Sequence, residues 1–134
     1  EEIYFNGVLL SANAAWREAA THTVELQPGN NVLAVKAEDW GGIASLIAQL
    51  TLGDGRTLTS DASWRVSTSL APGWNTVDFD DAQWAQATVH GTYGDAPWYK
   101  NVAGFAANST AKWIWSTDRF GDNTVYFRLN ISHE

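Results

Sequence analysis

The stretch GWNTVDFDDAQWAQATVHG, residues 73–91, sets two carboxylates side by side (Asp80, Asp81), brackets them with Trp74 and Trp84, and follows with His90. Carboxylates and an imidazole are the materials of general acid–base chemistry, and a carboxylate pair is what glycoside hydrolysis needs. The spacing argues against that use. Adjacent residues of a strand point to opposite faces. Glycosidase carboxylates stand roughly 5–9 Å apart across the sugar and usually come from different strands. One aspartate capping a short turn needs only one oxygen and one backbone N–H. The favoured expectation is therefore a cap at Asp80 or Asp81, with Trp74, Phe79 and Trp84 packed into the core.

Other catalytic arrangements have no counterpart. His22, His90 and His133 lack short metal-ligand spacing. No Gly-x-Ser-x-Gly elbow is present, and Gly53-Asp54-Gly55-Arg56 lacks the Lys-Ser/Thr ending of a phosphate loop. The reading is a protein that is not an enzyme.

Sugar binding asks for different groups: an aromatic face to stack on a pyranose, with charged or amide groups beside it to orient hydroxyls. Two segments supply that mixture. AEDWGG places Asp39 before Trp40 and two glycines, which let backbone approach a ligand closely. HGTYGDAPWYKN carries Tyr93, Asp95, Trp98, Tyr99 and Lys100 around Gly and Pro. NAAWRE, with Trp16, Arg17 and Glu18, is available to either. For Trp40 and Trp98 two roles are open, ligand contact or cover for a core edge, because loops do both. Trp64, Trp84, Trp113 and Trp115 lie in strand-like or helix-like contexts and are assigned to the core.

Composition bounds the remaining classes. The chain has 134 residues, enough for one domain with a core, and the expectation is a single β-sandwich domain over 1–134. A net charge of −7 with scattered Lys and Arg disfavours nucleic acid, which needs a basic footprint. It disfavours an anionic membrane surface equally. No apolar run reaches the roughly 18 residues of a membrane helix. With no cysteine there are neither disulfides nor thiolate metal sites. Hard oxygen ligands for a structural calcium ion are available at Asp54, Asp61, Asp78, Asp80 and Asp122, although no EF-hand register is present. Sequons stand at Asn108 and Asn130. The chain begins at EEIYFNG, already in a strand pattern, and is read as a piece of a longer polypeptide.

The elements that must position these groups read as strands. EIYFNGVLL is a hairpin around Asn-Gly. THTVELQPGNNVLAVKAED is strand, turn, strand, with Val32 to Ala37 apolar on both faces as in a central strand. IASLIAQLTL turns at Gly53-Asp54-Gly55 into TLTSD; Ile43, Leu46, Ile47 and Leu50 also fit helical spacing, but the turn favours a hairpin. SWRVSTS alternates Trp64, Val66 and Thr68 on one face. DDAQWAQATVHG is a helical turn leading into extended chain at Ala87–Val89, and AKWIWS and NTVYFRLNIS close the chain as strands. Short strands between turns give an all-β sandwich of two antiparallel sheets.

YFNGVLL, LQPGNNVLAVKAED, LIAQLTLGDGRTLTSDASWRVS, GW…FDDAQWAQA, PW and WIWS…VYFRLNIS, taken together and in this order, resemble the galactose-binding-domain-like jelly rolls. These are accessory modules on rhamnosidases and β-galactosidase relatives. The resemblance implies a jelly-roll β-sandwich in an extracellular or secreted multidomain protein. It also implies a lectin-like role toward a galactose- or rhamnose-type sugar or a polysaccharide, and it makes a structural calcium ion compatible. Alternatives are a structural accessory domain packed against a catalytic domain, or a protein–protein adhesion module. In that family the WIW…VYFR phrase commonly comes first, whereas here it is last. Either the chain is cut from a tandem or permuted arrangement, or the first strand belongs to a neighbouring segment; if Glu1 begins inside the usual first half of the fold, the two chain ends are expected close together.

Overall fold

Asn6-Gly7 joins Glu2–Phe5 (β1) to Val8–Ala12 (β2), and both turn residues have positive φ, 50° and 84°. That is the condition for a two-residue hairpin whose twist matches its strands. Asn6 tolerates it because its side chain is held: Oδ1 accepts the Val32 N–H (2.8 Å) and Nδ2 donates to Asn31 Oδ1 (2.9 Å). The structure is a computed structural model describing residues 2–12, 26–38, 46–51, 55–92, 111–118, 122 and 124–133. Further strands are Gly29–Glu38 (β3), Gln49–Thr51 (β4), Thr57–Thr59 (β5), Arg65–Ser67 (β6), Ala85–Gln86 (β7), Thr88–Thr92 (β8), Lys112–Trp115 (β9) and Thr124–His133 (β10).

Six strands form an antiparallel sheet in the order β2-β1-β3-β10-β6-β7. β3 is central, as its two-sided apolar run predicts, and Val32, Leu33, Ala34 and Val35 are all buried. Its odd-numbered residues Leu33, Val35 and Ala37 join Phe5, Val66, Val125, Phe127 and Ile131 on one face. Against that face lie β4–β5 and β8–β9, which contribute Leu46, Ile114, Trp115, Ala48 and Leu58 to the same core. A bridge between Leu46 and Ile114 joins these two pairs into one layer. Buried Ser60 stitches it further, its hydroxyl donating to the Lys112 carbonyl (2.6 Å) and accepting the Ala48 N–H (3.0 Å). The result is sandwich-like and all-β. The β4–β5 pair is the expected hairpin, not a helix.

Several expectations need correction. Thr68 does not share the buried face of Trp64 and Val66; β6 ends at Ser67 and Thr68 is exposed. Residues 80–84 form a single turn with no helix, and Asp80 caps it as expected: Asp80 Oδ1 accepts the Ala82 N–H (2.9 Å), and Trp84 N–H donates to the Asp81 carbonyl (2.9 Å). The chain then extends from Ala85. Trp74, Phe79 and Trp84 do pack together, but on the outer face of the large sheet with Tyr4, Ala34 and Tyr126, not between the layers. Finally, the chain ends are not close. β1 and β10 both run antiparallel to β3, hence parallel to each other, so Glu2 lies in the Lys36 row and His133 opposite Gly29. At strand rise that separation is about 24 Å along the sheet.

Candidate functional site

The acidic stretch is a strap across the outer face, and Arg128 fastens it. Arg128 lies on β10 and its side chain is 0% exposed. Its Nε donates to Asp81 Oδ2 (2.9 Å), Nη1 to the carbonyls of Trp74 and of Thr76 (2.9 Å), and Nη2 to the Phe79 carbonyl (3.2 Å). The guanidinium also lies over the Phe79 ring, 5.1 Å from its centroid. A buried arginine needs partners for five donors, and a segment without regular hydrogen bonding needs partners for its carbonyls. Each supplies the other. Asp81 Oδ2 also accepts from Asn130 Nδ2 (2.8 Å), so the two aspartates divide their work: Asp80 fixes a turn and Asp81 anchors the strap.

His90 is separate from both. Its Nε2 donates to the Ser116 carbonyl (2.8 Å), while the Ser116 hydroxyl donates to Asp122 Oδ2 (2.6 Å). Serine, histidine and aspartate are thus neighbours without nucleophile geometry, because the imidazole engages the serine backbone rather than its Oγ. Of the proposed calcium ligands, Asp54 lies outside the described residues. Among the described residues no three of His, Asp or Glu gather as a metal site.

The eight residues assigned to sugar contact, Trp16, Arg17, Asp39, Trp40, Tyr93, Asp95, Trp98 and Tyr99, lie outside the described residues. The strand ends that precede them are described. β2 ends at Ala12 in the row of Glu2 and Lys36, and β3 ends at Glu38 one row beyond. Both therefore deliver the chain at one end of the large sheet, where β10 enters at Thr124 opposite Glu38. Trp115 Nε1 donates to the Asp122 carbonyl (3.0 Å), which turns the Trp115 end of β9 toward this same rim. Thr92 pairs with Lys112 at the other end of β9. So the segments bearing Trp16-Arg17 and Asp39-Trp40 start from one rim, and the segment bearing Tyr93, Asp95, Trp98 and Tyr99 starts from the opposite direction.

Near the first rim β1 and β3 carry a polar row that the sequence alone did not reveal. Tyr4 hydroxyl donates to Glu2 Oε1 (2.7 Å), and Lys36 Nζ stands 3.2 Å from Glu38 Oε1 and 4.0 Å from Glu2 Oε2. The Lys36 side chain is 30% exposed and the glutamates 35%. The hydrogen bond to Glu2, with burial second, raises Tyr4 above the usual phenol range. The bond to Glu38 raises Lys36, against a lowering by burial. The Tyr4 ring is held edge-on to Trp74 (centroids 5.7 Å apart), and Trp74 in turn to Tyr126 (5.0 Å). The available signal was parity: Glu2 with Tyr4, and Lys36 with Glu38, each share a strand face. Their meeting depends on β1–β3 register, which parity alone does not give.

No family model matches the chain, and no curated protein or solved structure matches it. No match therefore identifies a galactose-binding-like domain, and the architecture stands as all-β, antiparallel and sandwich-like.

Proposed function

We propose that the chain is a non-catalytic carbohydrate-binding module, a jelly-roll β-sandwich of the galactose-binding kind, acting outside the cell as part of a larger protein. The observation that carries this reading is the convergence of strand ends. Ala12 and Glu38 hand the chain, at a single rim, to the two segments that hold Trp16, Arg17, Asp39 and Trp40. Five of the eight tryptophans, Trp64, Trp74, Trp84, Trp113 and Trp115, are taken up by core or strap. Trp16, Trp40 and Trp98 lie outside the described residues; in the sequence Trp40 and Trp98 stand beside Gly and Pro, the composition of loops, where binding residues concentrate on rigid scaffolds. Binding by such a module rests on ring stacking for affinity and on carboxylate, guanidinium or backbone groups for hydroxyl orientation.

Titration of intrinsic tryptophan fluorescence with galactose, rhamnose and common polysaccharides tests the proposal. A saturable response that Trp40→Ala abolishes, with the fold retained, is the expected result. Silence across all of them sinks it. The accessory-domain alternative has one observation of its own: Val8 and Leu9 are adjacent on edge strand β2 and are 64% and 52% exposed. Lack of any sugar response would give that reading precedence.

A further inference from the structure

We infer that residues 68–84 lift off the large sheet as one unit while its strands stay paired, and that the Arg128–Asp81 pair is the latch holding them down. The two ends of this strap are pinned together. β6 leads into it and β7 out of it, and these strands pair with each other, Val66 with Ala85 and Arg65 with Gln86. Lifting therefore opens a loop whose ends remain joined, so reclosing carries no further entropic cost of bringing them together.

The backbone bonds of the strap are its own. Trp74 N–H donates to the Ala71 carbonyl (3.1 Å), Thr76 to Gly73 (3.0 Å) and Trp84 to Asp81 (2.9 Å). Among the described residues no backbone-to-backbone bond joins 68–84 to a strand. Side chains tie it to the sheet instead. Arg128 reaches the Trp74, Thr76 and Phe79 carbonyls and Asp81, Asn130 reaches Asp81, and Arg65 Nη1 donates to the Trp84 carbonyl (3.2 Å). When the strap lifts, guanidinium, carboxylate and carbonyls all reach water, so each of these bonds is exchanged for one to solvent and little net free energy is lost with it. The apolar hold is small as well: Trp74 alone among residues 68–84 is buried. The inner face offers no such exchange. Parting Leu33, Val35 and Phe127 from Ile114 and Trp115 only exposes apolar surface. Opening free energies within one protein run from near zero up to the global value, and the strap belongs to the lower part of that range. Its lifting lays bare Ala34 and the Tyr126 ring, both buried against Trp74.

The test compares strap opening with sheet opening in the whole chain. Amide hydrogen exchange at Trp74, Thr76 and Trp84 reads the strap, and the β3 and β10 amides read the sheet. The chain has no cysteine, so Ala34→Cys adds a single thiol beneath Trp74 whose alkylation gives a second reading of the strap. The strap is expected to open more readily than the sheet, and with a weaker urea dependence. Asp81→Asn, which keeps shape and removes charge, should raise strap opening about tenfold. Ile131→Val on the inner face should raise exchange of the sheet amides about fivefold. It should leave strap opening unchanged, because the sheet it weakens is intact whether the strap is up or down. Strap and sheet accelerating alike in Ile131→Val would overturn the inference, since the strap would then open only with the whole domain. Strap amides exchanging as fast as free peptide would overturn it too, because no closed state would exist. Independent opening that Asp81→Asn leaves unchanged would overturn the latch. If Ala34→Cys does not fold, amide exchange alone decides.

Discussion

The two faces of the six-stranded sheet are covered by different means. On the inner face, Leu33, Val35, Phe127, Val125 and Ile131 meet a second layer of strands in one apolar cluster. On the outer face the cover is an irregular segment, residues 71–84, whose rings Trp74, Phe79 and Trp84 pack with the sheet while the carbonyls of Trp74, Thr76 and Phe79 accept from Arg128. Strands satisfy their own peptide groups by pairing, so a strand layer needs only apolar side chains to dock. An irregular strap carries unpaired carbonyls into a buried place, and these must find donors. The Arg128 guanidinium supplies three such bonds and takes its charge partner, Asp81, from the strap as well.

This contrast can be broken from either side. Phe127→Ala on the inner face, where the ring is fully buried against Trp115, should cost about 3–5 kcal/mol in urea unfolding. On the outer face Asp81→Ala strands a buried charge and should cost about 3 kcal/mol. The double variant Arg128→Met with Asp81→Leu sharpens the point. If the ion pair alone mattered, stability would largely recover. If Arg128 serves the strap carbonyls, those of Trp74, Thr76 and Phe79 stay without that donor and little is regained.

Smaller effects follow. Asn31 is buried, donates to the Gln27 carbonyl (2.8 Å), and accepts from Gln27 N–H (2.8 Å) and Asn6. Asn31→Ala should therefore lower stability by about 2 kcal/mol in the same unfolding assay. Asp80→Ala removes one turn bond at an exposed site and should cost about 1 kcal/mol or less. The least perturbing check is pH. Tyr4 and Lys36 both hold their protons more tightly in the folded chain. Their contribution is thus complete below the unfolded values, about pH 10, and is lost as pH rises through the folded ones. A tyrosinate absorbance titration, differenced against Tyr4→Phe, should show Tyr4 ionising late, and Glu2→Gln should shift it back down.

Much of the strand pattern was legible. Asn6-Gly7 announced its hairpin, and the apolar run Val32–Ala37 announced a central strand, because turn chemistry and two-sided burial are written locally. Thr68 failed because alternation does not say where a strand stops, whereas the Asp80 cap was legible because it is a local bond. The Glu2–Tyr4–Lys36–Glu38 row was invisible, since its members are about 30 positions apart and meet only through register.

By itself the sequence determined that the chain is built of strands and that it carries a net charge of −7. These follow from period, turn residues and composition, all local or summed quantities. Only the tertiary structure decided that Asp81 belongs to Arg128, 47 positions away. It also decided that the strap packs on the outer face, that Glu2 and His133 lie at opposite ends of the sheet, and that β2 and β3 end at one rim. Those facts depend on which strands pair, and pairing is a competition among all the strands at once, settled by buried area and satisfied backbone rather than by any single stretch.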